Sequence, residues 1–407
     1  MLTPLIDQFS NALTPRRLTA HAALIAIALW SVFAWDYSTL GLLDRNGLLK
    51  GTDFLHFYTI GTLAREHRFA ELYDIRAQAK LAGERVPEAK GLIYLPLYGP
   101  QVALLFAPLA GLPYGTALAV WMLINAALYA ICCGIVWREC RALKRARVPV
   151  ILAALAFPAF FHLLTWGQTS GIALLCFTLM FLAFQHGRNF FAGLAFGLLF
   201  FKPQLGLAGF VIFLLAREWR VLIGATITAV GQLAIAWPIV GPETMRRYLL
   251  SGAQIPQTIR LLEPKLYQLH SLKGFWELLI PWPILSAILF GISTVIALAI
   301  GFRVWQYSRS LALRFSALLL TTVLVSPHLT IYDLVLLAPM FLLLTDWAVK
   351  FPNGSSSMRV LLYLCFVLPL AGPLARWTHV QLTVIMMFAL LLVIEKTVRT
   401  ADWKAAH

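Results

Sequence analysis

The sequence predicts an all-α polytopic membrane protein, a bundle of about twelve transmembrane helices. Three observations predict it. Hydrophobic residues fill 60% of the 407 positions and charged residues 13%, about half the charge of an ordinary soluble domain. Apolar runs long enough to cross a bilayer core of about 30 Å recur along the whole chain, with no soluble domain between them. Lys and Arg concentrate in alternate short loops, which is how a membrane protein sets its orientation. The formal charge of +15 is therefore a topology signal. One integral membrane domain over 1–407 is expected, surrounded by membrane lipids and with no nucleic-acid partner.

Met1 to Arg17 is a polar lead ending in Arg16-Arg17, and Ala20 to Trp35 reads as an uncleaved first helix with a cytoplasmic N-terminus. Between Asp36 and Gly91 eight basic residues balance eight acidic ones, so 37–92 is expected as a first external loop. Its apolar residues recur at helical spacing around Phe57, Leu63, Phe69 and Leu72, which predicts juxtamembrane helices lying on the outer leaflet. The loop holding Arg138, Arg141, Lys144, Arg145 and Arg147 against Glu139 is cytoplasmic by the same bias. Only one crossing fits between the two loops, and Gly115 to Trp137 supplies it. The Pro-bounded segment 93–112 then becomes a re-entrant or broken element, tolerated where it is buried in protein or lines a cavity.

The remaining runs are 149–165, 168–186, 189–201, 204–217, 220–240, 284–305, 311–326, 330–349, 358–373 and 377–396. Alternating them puts 18 basic and 6 acidic residues inside, against 15 and 12 outside; the bias supports both termini in the cytoplasm. The second external loop is 241–283. Runs 189–201 and 204–217 are short for full spans and read as tilted hairpin partners. Cys132, Cys133, Cys140, Cys176 and Cys365 sit in or beside apolar helices, which suggests neither a disulfide framework nor a zinc site. Gly193-Leu-Ala-Phe-Gly197 reads as a close helix contact, not a phosphate cradle. No cofactor is expected; a divalent metal is left open.

Asp53 opens the stretch Asp53-Phe54-Leu55-His56-Phe57-Tyr58. A carboxylate among rings at a membrane boundary is costly to keep ionised unless its charge is used. Two readings follow: a working carboxylate with His56 and Phe57 on its helical face, or a plain helix N-cap. The topology brings Gln168, Lys202, His328 and Tyr332-Asp333 to the same side as Asp53. Lys202 ends an apolar run in Phe200-Phe201-Lys202-Pro203, where an ammonium either binds an anion or snorkels to water. Gln168 and His328 taken singly read as interhelical hydrogen bonders.

The succession Asp53-Phe54-x-x-Phe57-Tyr58-x-x-Gly61, Leu72-Tyr73-Asp74, Tyr94-x-Pro96-x-x-x-Pro100, Pro108-Leu109-x-x-Leu112-Pro113, Trp121-x-x-x-Asn125, Gly167-Gln168, Lys202-Pro203 and Ser326-Pro327 resembles glycosyltransferase family 87. Ile60 and Ser170 depart from that family's usual small residue and Asn. The resemblance implies the GT-C membrane fold. It also implies a hexosyltransferase reaction drawing mannose or another hexose from a polyprenyl-phosphate-linked donor for a lipid or glycan acceptor. On it, Asp53 corresponds to the catalytic acidic residue of the first external loop and Lys202 to a basic residue of the donor phosphate site.

Topology adds His328 and Arg376 as helpers at that phosphate, and His56, Tyr58, Gln168, Tyr332 and Asp333 as substrate ligands. Arg246 and Arg247 of the second external loop, with Arg260 further along it, are expected over the site; an interfacial segment touching only headgroups accounts for them equally. The site is placed on the external face of a bacterial inner membrane. The competing class is a lipid-linked-sugar transporter or flippase, which ordinarily shows two related halves and midplane charges. No internal repeat appears here, and the ionisable residues sit at one edge of the spans.

Overall fold

The computed structural model describes residues 2–262, 265–352 and 355–406, the side chains of 2–3, 253–262 and 401–406 excepted; Arg260 falls outside the described side chains. The described chain is all-helical and contains no strand, only isolated bridges at Leu43 with Leu49 and Leu269 with Thr330. Six helices among the described residues are long and apolar enough to cross a membrane: Pro15–Tyr37, Tyr114–Glu139, Trp219–Val240, Pro283–Tyr307, Ile331–Lys350 and Ser356–Thr378. A bent pair, Arg147–Leu155 with Pro158–Trp166, makes a seventh if it is one span. The long helices turn large apolar residues outward, among them Leu24, Ile27, Val230, Ile235, Ile284 and Val295. Water would penalise such a surface, whereas hydrocarbon accepts it.

Several expected crossings form shorter apolar helices. Run 168–186 forms Ser170–Gln185, of 16 residues, and 311–326 forms Leu311–Val325, of 15; at 1.5 Å per residue each reaches only about 24 Å. Run 189–201 forms Asn189–Gly197 and a 3₁₀ turn, and 204–217 forms Leu207–Leu215. Leu311–Val325 is buried almost throughout, whereas Asn189–Gly197 and Leu207–Leu215 also turn Phe191, Phe210 and Leu215 outward.

The segment 37–92, expected as juxtamembrane helices, places its helix Phe54–Arg65 inside the protein. Every residue from Phe54 to Ala64 in the helix Phe54–Arg65 is buried. Its aromatic and aliphatic residues, Phe54, Leu55, Phe57, Ile60 and Leu63, fall on several faces, and the hydroxyls of Thr59 and Thr62 donate to carbonyls of their own helix at 2.8 Å. It packs on Pro100–Phe106, where the rings of Phe57 and Phe106 stack at 4.9 Å. That seven-residue helix and the 3₁₀ turn Leu109–Gly111 are the regular structure within the Pro-bounded segment 93–112. Ahead of Phe54, the buried Lys50 amine donates to the carbonyls of Tyr37, Thr39 and Gly41 at 3.2, 2.8 and 3.0 Å and ties the loop to the first helix.

The expected run 149–165 is broken, bending by 45° between Leu155 and Pro158. Proline has no N–H, so the Ala154 carbonyl four residues earlier loses its helical donor. The Tyr129 hydroxyl replaces it at 3.0 Å, and the Trp30 indole donates to the next carbonyl, that of Leu155, at 3.1 Å. Neighbouring side chains thus satisfy backbone that lipid would leave unpaired.

Asn189–Gly197 crosses Trp219–Val240 at close quarters. A Cβ on Gly193 would sit 2.1 Å from the Val221 carbonyl oxygen, and one on Gly197 2.3 Å from that of Ala225. Backbone meets backbone there, as the Gly-xxx-Gly spacing suggests. Replacing Gly193 with Leu should cost at least about 1–3 kcal/mol by overpacking. Thermal unfolding of the purified protein in detergent checks this; an unchanged midpoint would refute the contact.

Candidate active site

The site begins with two side chains one helical turn apart. On Tyr114–Glu139, the Trp121 indole donates to the Gly167 carbonyl at 2.9 Å and the Asn125 amide to the Gln168 carbonyl at 3.0 Å. Gly167 closes the helix Pro158–Trp166 at φ +68°, and a Cβ there would lie 2.6 Å from that of Phe54. Only glycine suits both the left-handed backbone and the close approach. The Asp53 amide donates to the Trp166 carbonyl at 3.1 Å. The turn at Gly167-Gln168 is therefore pinned beneath the start of Phe54–Arg65, with Gln168 directed at Asp53.

Gln168 Nε2 donates to Asp53 Oδ2 at 2.7 Å and to the Tyr332 hydroxyl at 3.1 Å. Asp53 occupies the N-cap position, yet its side chain makes no capping bond; the plain capping reading fails on geometry. Next to it lies a buried ion pair. Lys202 Nζ is 2.5 Å from Asp333 Oδ1 and 3.3 Å from Ser170 Oγ, and the Ser170 hydroxyl donates to the same carboxylate at 2.5 Å. The amine also stands 5.1 Å from the centre of the Tyr332 ring. Lys202 is 3% exposed, so it does not snorkel. The other Asp333 oxygen, Oδ2, accepts from the Thr330 amide at 3.4 Å in a capping box that starts the buried 3₁₀ turn Ile331–Leu337. Asp333 is thus committed to Lys202, Ser170 and its own turn.

Burial pushes the Asp53 carboxyl up to about 6, against the Gln168 hydrogen bond and the positive charge of Lys202, which favour ionisation. His56 is held neutral, lowered by burial to about 4. Its two ring nitrogens are buried without a hydrogen-bond partner, and the ring lies 5.4 and 5.6 Å from those of Tyr94 and Tyr98. Buried orphan nitrogens of this kind are uncommon and ask for a partner.

The structure thus brings together Asp53, Gln168, Tyr332, Asp333 and Lys202, with His56 one turn away. The other expected residues have these surroundings. The Tyr58 hydroxyl donates to the Leu112 carbonyl at 2.9 Å. Arg376 is exposed on the short helix Ala375–Thr378. His328 is half-buried in the loop before Thr330, where its carbonyl accepts from Ser326 Oγ at 3.1 Å. Arg246 and Arg247 sit on the exposed face of Pro242–Leu262, where both pair with Glu243 at 3.0 Å and Arg247 reaches the Ala70 carbonyl at 2.9 Å. Pairing at i,i+3 and i,i+4 within one helix satisfies them locally. The second loop meets the site by backbone instead, the His270 amide donating to the Leu329 carbonyl at 2.9 Å.

Two participants were not given roles from the sequence. Ser170 was noted only as a departure from the family pattern, yet it bridges the ion pair. Tyr98 lies within the electrostatic reach of Lys202, Asp333 and Asp53; its place between Tyr94 and Pro100 was the available signal. No group of three or more His, Cys, Asp or Glu is arranged to hold a metal among the described residues.

The sequence profile of glycosyltransferase family 87 matches residues 97–327, more than half of the chain. The chain belongs to glycosyltransferase family 87. Comparison with curated proteins and with solved structures finds no match. With its apolar, outward-facing helices, this family member is an integral membrane glycosyltransferase. The matched stretch contains Gln168, Ser170 and Lys202 but begins after Asp53 and ends before Asp333, so the cluster joins family-matched residues to two carboxylates outside the match.

Removing one partner of a buried ion pair strands the other charge. Lys202→Met should therefore cost about 3–5 kcal/mol, while Lys202→Met with Asp333→Leu should recover most of that loss. Thermal unfolding of the two variants decides it: equal destabilisation of single and double variants would refute the pairing.

Proposed function

We propose that this glycosyltransferase moves a hexose, mannose on the family resemblance, from a polyprenyl-phosphate donor to a hydroxyl of a lipid or glycan, with inversion at the anomeric carbon. The observation that carries the reading is Asp53. Its carboxylate is released from capping, gripped at one oxygen by Gln168, and raised to about 6, which suits a base that works near neutral pH.

In the proposed step Asp53 takes the acceptor hydroxyl proton as that oxygen bonds to the anomeric carbon. The bond from this carbon to the donor phosphate oxygen breaks, and polyprenyl phosphate leaves with the electron pair. Gln168 orients the base, and Tyr332 orients Gln168. His56, with unpaired nitrogens beside a cavity of about 10 Å³ bordered by Tyr73, Pro96 and Tyr98, offers a hydrogen bond to a sugar hydroxyl once Tyr94 and Tyr98 swing outward.

Lys202 supplies positive potential to the leaving phosphate, with His328 and Arg376 as helpers. Asp333 offsets much of that potential while it stays on the amine, so approach of the phosphate has to draw Lys202 partly from Asp333. Tyr58 and Asp333 act as supports for the substrate-binding elements, and Arg246 and Arg247 as a basic rim at the membrane surface. The working face is external, with loops 37–92 and 241–283 outside, the termini inside and about twelve crossings in which the short central helices count as partial spans.

Asp53→Asn preserves shape while removing basicity, so turnover should fall by about 10²- to 10⁴-fold while donor lipid still binds. In the wild type, activity should be low where Asp53 is protonated and rise through about pH 6 to a plateau. Radiolabelled polyprenyl-phosphate-mannose and purified protein provide the assay. Near wild-type transfer by folded Asp53→Asn would end the proposal.

For orientation, Lys80→Cys in a background lacking the five native cysteines should react with an impermeant maleimide in intact cells, and Lys144→Cys should not. The reverse pattern would invert the topology.

A further inference from the structure

A second site lies at the other end of the bundle. Between Pro15–Tyr37, Arg147–Leu155, Ala338–Lys350 and Ser356–Val367 runs a half-open groove of about 520 Å³. Its deep walls are apolar, built from Ile25, Ala154, Phe157, Phe341 and Phe366. Val150, Ala153 and Ala154, which line it, belong to the half of the bent pair before the 45° break. The first helix enters through the corner at Leu13 and Pro15, which also line it.

The groove is polar at its mouth. Arg359, in the first turn of Ser356–Val367, lines it and is half-buried. Its guanidinium donates to the Ala348 carbonyl at 3.4 Å, and no carboxylate pairs with it among the described residues. One turn deeper, the Tyr363 hydroxyl and His21 Nδ1 are 3.0 Å apart. Leu143 and Ala146 also line the groove and flank Lys144 and Arg145 of the basic loop 138–147. The nearest acid on the opposing helix, Asp346, is already taken by Lys350 and by the Ala142 amide. The mouth therefore carries surplus positive charge above an apolar slot.

Dimensions narrow the occupant. From Pro15 to Ile25 the slot follows ten residues of helix, roughly 15 Å, or about half the hydrocarbon thickness. That is the depth of one leaflet and suits one acyl chain better than a long polyprenyl tail. A further twelve residues of the same helix, roughly 18 Å, separate Ile25 from Tyr37, whose hydroxyl donates to the Thr165 carbonyl beside the Asp53 cluster. The two sites are separate, and this one does not depend on the catalytic reading.

We propose that the groove binds an anionic glycerophospholipid, one acyl chain lying against Phe157 and Phe366 and the phosphate held by Arg359 with support from the basic loop. Such a lipid would brace the unsupported side of the bent pair and the first helix.

The test uses the purified full-length protein, titrated in detergent with phosphatidylglycerol or phosphatidylcholine of the same acyl chains and read by native mass spectrometry. Wild type should retain phosphatidylglycerol in preference to phosphatidylcholine. Arg359→Ala should weaken phosphatidylglycerol retention by about fivefold, the worth of one basic residue near an anionic headgroup, and Arg359→Lys should restore part of it. Ala153→Phe, which fills the slot, should reduce both lipids. Equal retention of the two lipids by wild type would overturn the proposal, and that comparison needs no variant to fold. Retention unchanged in Arg359→Ala and Ala153→Phe would overturn it as well, as would displacement of phosphatidylglycerol by inorganic phosphate alone.

Discussion

The ion pair between Lys202 and Asp333 is the constraint from which the centre of this protein is arranged. An ammonium and a carboxylate 2.5 Å apart, at 3% and 0% exposure, are tolerable in an apolar interior only when each satisfies the other and the remaining polar atoms find partners. Ser170 and the Thr330 amide complete the carboxylate, and the Tyr332 ring covers the amine. Three stretches far apart in sequence are thereby forced together: the break after Phe201, the start of Ser170–Gln185 and the turn at Ile331. Tyr332 leaves this assembly to hold Gln168, and Gln168 holds Asp53. The Asp53 carboxylate thus hangs at the end of a chain of bonds anchored in a neutral pair.

That anchoring has an electrostatic consequence. Lys202 and Asp333 together are neutral, so Asp53 feels a dipole instead of a full positive charge, and burial outweighs the attraction. A closer, unshared lysine would hold the carboxylate ionised and make it a weaker base. The pair therefore gives Asp53 enough support to ionise near neutral pH without removing its appetite for a proton. The same arithmetic limits what Lys202 alone contributes toward any anion, because its countercharge is already in place.

Much of this was legible in the sequence where a residue broke the local rule. Asp53 among aromatics, Lys202 ending an apolar run and Gln168 following the run 149–165 each stood out against hydrophobic surroundings, and a shared side followed from loop charge. The partner of Lys202 was not legible, because Asp333 lies 131 positions away and nothing in a one-dimensional pattern sets that distance. Helix length was less legible for a related reason. Hydropathy counts an apolar residue alike whether it meets lipid or protein, so the central helices Ser170–Gln185 and Leu311–Val325 read as spans although they pack inside others. The helical spacing of Phe57 and Leu63 predicts a helix at Phe54–Arg65, but spacing alone does not say whether its apolar residues meet lipid or protein, and the structure buries Phe54 to Ala64 against protein.

The proline at 158 shows how one backbone defect serves both ends of the molecule. By removing a helical donor it forces Tyr129 and Trp30 to serve as substitutes, and these two aromatics tie the bent pair to its neighbours. The segment after the bend is short, only nine residues from Pro158 to Trp166, and it ends where Gly167 can turn sharply under Phe54. A straight helix from Arg147 would carry residue 167 along a different axis and move Gln168 out of reach of Asp53. The segment before the bend, freed from that axis, leaves room for the apolar slot beside Ile25. The same break that aims the polar cluster therefore opens the opposite end of the bundle to lipid, and side chains that stabilise the bend support both.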